Sequence, residues 1–143
     1  MNVERTVVEL RELQEALASS QQVQISYDLE TRGEVMIEGL EFPAGWRTAD
    51  GSRRGDVLLD LPEKYPQHRP RVYVSEEMRF NGDRPSIMVP ERIDGNESWA
   101  QLDLFPPEMD WDPQQDDLCT ILKRLRHQLR DRSAHSAERE ESQ

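Results

Sequence analysis

The single thiol, Cys119, is the side chain in this sequence best suited to covalent chemistry, because a thiolate is a strong nucleophile near neutral pH. Counting 100° per residue, it falls at the margin of an apolar stripe, one residue after Leu118 near the start of the last helix. A helix N-terminus lowers a thiol pKa, whereas Asp116 and Asp117 beside it raise it. Cys119 therefore reads as a small, half-buried structural residue, with a nucleophile as the alternative. His68, His127 and His135 are the histidines, and no two have metal-ligand spacing. One cysteine also excludes an internal disulfide and a Cys-rich zinc site, so neither metal nor cofactor is expected. Phosphate-cradling GxGxxG and GxxxxGK runs are absent, and no serine sits in a GxSxG elbow. Carboxylates abound, but with 29 Asp and Glu in 143 residues close pairs arise by chance.

The elements that must position these groups are legible from periodicity. Residues 3 to 18 read as an amphipathic helix with Val3, Val7, Leu10, Leu13 and Leu17 on one face, and Thr6 with Glu9 is placed to form a capping box. The period then switches to two: Val23, Ile25, Tyr27 and Leu29 alternate with polar residues in a first strand. A second strand spans 34 to 42, where Val35 and Ile37 have one parity and Leu40 and Phe42 the other; a bulge at Gly39 would restore the face. A third runs from 56 to 61 and a fourth covers Arg71 to Val74. Short connections make these an antiparallel meander. The stretch from 76 to 113 is rich in proline and lacks periodicity, and a loop of that length in a small domain is usually functional. A helix over about 115 to 131 closes the domain, with Leu118, Ile121, Leu122, Leu125 and Leu129 as its stripe. The expectation is an α+β fold with a domain over 1–132 and a disordered polar tail over 133–143.

Charge excludes whole classes of partner. The formal net charge is −11, which repels phosphate backbones and anionic membrane surfaces, so neither nucleic acid nor membrane is expected. Of the 18 cations all but Lys64 and Lys123 are arginine. Many acids with almost no lysine suit a salt-rich cytoplasm, where a Debye length of about 3 Å at molar salt screens self-repulsion. A GC-rich genome that encodes Arg in place of Lys is the other source of this bias. The N-terminus MNVERTVVEL is not secretory in pattern, and no apolar run reaches the roughly 18 residues of a membrane span.

One segment is more specific. The third strand runs into Leu61–Pro62–Glu63–Lys64–Tyr65–Pro66–Gln67–His68–Arg69–Pro70, followed by the fourth strand. Pro66 and Pro70 stiffen this link, and Tyr65 offers a ring to bury and a hydroxyl to lock the turn. The run resembles the strand–YPxxxP–strand segment of the ubiquitin-conjugating enzyme superfamily and its RWD relatives. Asp94–Gly95, Gln101–Leu102–Asp103–Leu104, Trp111–Asp112–Pro113 and the closing helix resemble that family's later elements, so the likeness covers residues 3 to 131. It implies structural roles for Tyr65, Pro66, Pro70, Trp111 and Pro113.

The departures carry the functional expectation. Gln101 stands where the family's catalytic cysteine would be, no cysteine lies between 84 and 112, and Arg84–Pro85–Ser86 is a poor match to the family's His–Pro–Asn. The run from Gln101 to Trp111 is also longer than the family's. An amide cannot carry a modifier as a thioester. The chain therefore looks most like the non-catalytic ubiquitin-conjugating variants, which implies a domain that binds a ubiquitin-like protein or another protein partner. Trp46, Met78, Trp99, Gln101 and Asp103 are the expected contact residues, with packing under a loop as the alternative for Trp46 and Trp99. The alternatives are an RWD-like scaffold, or a thioester-forming enzyme using Cys119.

Overall fold

Helix α1 forms over Val3–Ala16, where apolar residues recur at helical spacing, and its last turn closes with Leu17 N–H donating to the Leu13 carbonyl at 3.2 Å. The computed structural model describes residues 3–18, 23–31, 33–83, 88–89, 99–102 and 111–141, with Val89 and 131–141 described as backbone only. The α1 face turned inward is not quite the expected one. Thr6, Glu9, Leu10, Leu13 and Leu17 are buried, whereas Val3 is 52% exposed. Thr6 and Glu9 thus face the interior rather than capping the helix start, because Glu9 has partners waiting there.

Strands β1 (Gln24–Asp28) and β2 (Glu34–Glu41) pair antiparallel. A short β3 (Trp46–Arg47) precedes β4 (Arg54–Asp60), and β5 (Arg71–Ser75) follows the Tyr65–Pro66 turn. Beyond them lie β6 (Arg79–Phe80), β7 (Met88–Val89) and β8 (Trp99–Leu102). The main sheet has the order β1-β2-β4-β5-β8-β7, so the four expected strands are indeed neighbours, all antiparallel. The sheet does not stop there: β8 and β7 extend it, so a segment expected to be irregular supplies two further strands, with β7 at the edge. β3 and β6 form a separate two-stranded ribbon. The bulge is where parity required it. Ile37 pairs with Val57 but Leu40 with Gly55, and Gly39 takes a positive φ of 75°, which costs glycine little.

Register aligns the side chains in rows across the sheet. Ile37, Val57, Val74 and Ala100 form one row, and Val35, Leu59, Val72, Leu102 and Met88 another. Both rows belong to one core cluster with Leu10 and Leu13 of α1, with Leu17 just after it, and with the stripe of helix α2 (Leu118–Glu141). The intervening row, Met36, Leu58, Tyr73 and Gln101, has the opposite parity and faces the other way.

Helix α2 begins at Leu118, not 115. Asp117 caps it: its Oδ1 accepts from Thr120 N–H at 2.9 Å while its own N–H donates to Thr120 Oγ1 at 3.1 Å. The expected stripe is the observed one, with Leu118, Ile121, Leu122, Leu125 and Leu129 all buried. The backbone stays helical to Glu141, through the segment expected to be a disordered tail. Ala137 and the run Glu138 to Glu141 are good helix formers, and propensity needs no apolar stripe to act.

Candidate functional site

The site that sequence motifs single out is built from β5, β8, the Tyr65–Pro66 turn and the start of α2. Tyr65 is 1% exposed, and its peptide bond to Pro66 is cis. Its hydroxyl donates to Glu9 Oε1 at 2.5 Å. The same Glu9 oxygen accepts the N–H of Leu118 at 3.1 Å, while Glu9 Oε2 lies 3.2 Å from Arg5 Nε. Arg5 also donates to the Asp116 carbonyl at 2.9 Å. One buried carboxylate on α1 therefore ties the turn to the N-terminus of α2, whose positive end favours an anion. Burial and the hydrogen bond to Glu9 push the Tyr65 phenol far above its ordinary pKa, so it stays a neutral donor. Trp111 completes the knot by donating its indole N–H to the Pro66 carbonyl at 2.7 Å, with its ring 6.4 Å from that of Tyr65. Pro66 and Pro70 are buried and Pro113 is half-buried. Tyr65, Pro66 and Trp111 are thus joined to one another at this turn.

The expected contact residues separate. Gln101 is half-buried on β8, between Tyr73 and Val89 in register, with the parity that faces away from both helices. Trp99 shares that parity and is also half-buried, opposite Ser75. Asp103 lies outside the described residues. Trp46 and Met78 are corrected: both are 0% exposed and offer nothing for a partner to touch. Trp46 packs against Phe42 and Phe80 at 5.9 and 5.2 Å and donates its indole N–H to the Leu129 carbonyl at 3.2 Å. Met78 fills the space above Gly55, where even a Cβ would come within 2.5 Å of its Cε. Of the two readings the sequence leaves for Trp46, anchor or packing, burial selects packing, and Met78 joins it in the core.

Cys119 sits in the first turn of α2, half-buried against the helix-side core. Gln101 faces the opposite side of the sheet, so the thiol and the amide are not neighbours across one cleft. Burial pushes the Cys119 thiol above its ordinary pKa, and the charges of Asp117 and Glu12 add to this, outweighing the opposing effect of Lys123. Less thiolate means slower chemistry. Cys119 should react with iodoacetamide at pH 8 more slowly than free cysteine, with its rate still rising at pH values where that of free cysteine has levelled off. A rate equal to that of free cysteine would contradict this placement.

Among the described residues, no group of three or more His, Cys, Asp or Glu side chains is arranged to hold a metal ion, and no helix is long and apolar enough to cross a membrane. Glu9 is the residue that sequence reasoning missed. Its signal was present: it stands at i, i+4 spacing with Leu13 and then Leu17, in line with the buried stripe. Compared with known proteins, the chain matches no family model, no curated protein and no solved structure.

Proposed function

We propose that this chain is a non-catalytic binding domain of the ubiquitin-conjugating-enzyme type, closest to the variants without the active-site cysteine, and that its partner is a protein such as a ubiquitin-like modifier. The observation that carries this reading is the separation of Gln101 from Cys119. An amide occupies the β8 position facing away from the helices, while the chain's one thiol is half-buried in α2 with its pKa raised. The element order and the Tyr65–Pro66 turn between β4 and β5 also support it. With Trp46 and Met78 assigned to the core, the proposed contact surface contracts to Trp99, Gln101 and Asp103. A salt-rich cytoplasm is the proposed setting.

The test is a titration of the isotope-labelled chain with a ubiquitin-like protein from a salt-adapted host, followed by amide chemical shifts. Shifts should centre on Trp99 to Leu102, and Trp99→Ala should weaken binding by about tenfold or more. Self-association by light scattering, with no shifts on adding the modifier, would instead select the scaffold reading. A thiol-sensitive adduct formed with activating enzyme and ATP, and lost in Cys119→Ala, would overturn the proposal outright.

A further inference from the structure

Strand β1 forms one edge of the main sheet: β2 holds one side of it, and among the described residues no strand pairs with the other. Alternate N–H and C=O groups along Gln24–Asp28 are therefore open to an added strand. The usual devices that block an edge are missing. Val23–Leu29 contains neither proline nor lysine, and the β1–β2 register runs without a bulge. In a chain that is 33% charged, this run carries one ionised side chain, Asp28. Its odd positions lie on the helix side, since Ile25 pairs with Ile37 and Tyr27 with Val35, both core residues. Tyr27 is nevertheless 50% exposed, while Val23, Ile25 and Leu29 are half-buried against the core. The rim of the core thus presents an uncovered ring beside an unpaired backbone.

We propose that β1 pairs with β1 of a second copy of this chain, antiparallel about a two-fold axis at Ser26, so that two sheets become one. The occupant is selected by the strand's complementarity to itself. With Ser26 opposite Ser26, Ile25 faces Tyr27 twice and Gln24 faces Asp28 twice, so apolar meets apolar and an amide donor meets a carboxylate. Past the strand ends Val23 meets Leu29. Asp28 Oδ1 already accepts the Thr31 N–H at 3.0 Å, which leaves Oδ2 for the Gln24 amide of the second copy. An axis at Ile25 or Tyr27 pairs fewer residues of the strand, and one at Asp28 sets two carboxylates face to face. A pair of strands this short falls below the roughly 1,200 Å² of a stable interface, and each copy carries a net charge of −11. The dimer is therefore weak, and it tightens as salt screens the repulsion. β1 lies four strands from β8, so the dimer leaves Trp99 and Gln101 uncovered and stands or falls separately from the reading above.

The test is sedimentation equilibrium of the full chain up to about 1 mM, in salt of about 0.15 M and about 1 M, where the Debye length is about 8 and 3 Å. The expected result is a monomer–dimer equilibrium that is tighter at the higher salt. In the lower salt, Ser26→Lys and Ser26→Glu each set like charges opposite one another at the axis and should weaken the dimer by about fivefold. An equimolar mixture of the two sets opposite charges there and should recover the affinity to within about twofold of the unsubstituted chain. Ser26 is exposed, and a circular-dichroism melt checks that both variants fold. Tyr27→Ser, which should also weaken the dimer by about fivefold, repeats the comparison if either melts early. A monomer at every concentration and salt, a dimer indifferent to the folded variants, or a mixture no tighter than its components would each overturn the proposal. Assemblies larger than a dimer would overturn it in favour of β1 pairing with the opposite edge of the sheet.

Discussion

Glu9→Ala should remove about 2–5 kcal/mol of unfolding free energy, measured by urea denaturation, although Glu9 is a charged residue on a surface-lying helix. Its oxygens serve Tyr65 Oη, Leu118 N–H and Arg5 Nε, and the first two of these donors are buried. Alanine leaves both without an acceptor, and an unmet buried donor costs about 1–3 kcal/mol. Arg5 is less affected, because its half-exposed side chain can turn to water. Glu9→Gln keeps one acceptor oxygen and should cost only about 1–2 kcal/mol. Tyr65→Phe deletes one donor while leaving Glu9 with two partners, for about 0.5–1.5 kcal/mol. The two sites touch, so the double variant should lose less than the sum of the singles. A loss below about 0.5 kcal/mol in Glu9→Ala, or full additivity, would show that some other contact joins α1, the turn and α2.

This knot marks where sequence reading reached its limit. Strand faces were legible, because period two survives in any half-buried strand: Val35 and Ile37, Val57 and Leu59, and Val72 and Val74 all face the helices as their parity requires. The Gly39 bulge was legible for the same reason, since a parity break must be repaired by an extra residue. The α2 stripe was legible from five apolar residues at helical spacing. Glu9 was not, because a charged residue inside a stripe is ordinarily placed outside the core, and only its partners, 56 and 109 residues away, show why it is inside. Strands β7 and β8 were hidden for a related reason. Trp99–Leu102 is too short to display a period, and its pairing with β5 is a long-range event.

Trp46→Ala should be as damaging as Glu9→Ala, at about 3–5 kcal/mol, and for the opposite reason. Here an apolar volume is lost. The indole is 0% exposed between Phe42 and Phe80, with interplanar angles of 65° and 51°, so truncation leaves a cavity walled by rigid rings. The backbone gives little room to close it. Gly45, immediately before it, has φ +97°, and its Cα already lies so near Phe80 that a Cβ would meet the ring at 2.6 Å. Trp46→Phe keeps most of the volume but loses the N–H bond to the Leu129 carbonyl, and should cost about 1–2.5 kcal/mol. Circular dichroism in urea is the suitable readout, because tryptophan fluorescence changes with the substitution itself. The pair also decides between packing and recognition. If Trp46 were a partner anchor, Trp46→Phe would lower affinity while stability held. Burial demands the reverse, with stability falling and affinity per folded molecule unchanged. A folded Trp46→Ala protein as stable as the unsubstituted chain would return this residue to the surface and undo its assignment to the core.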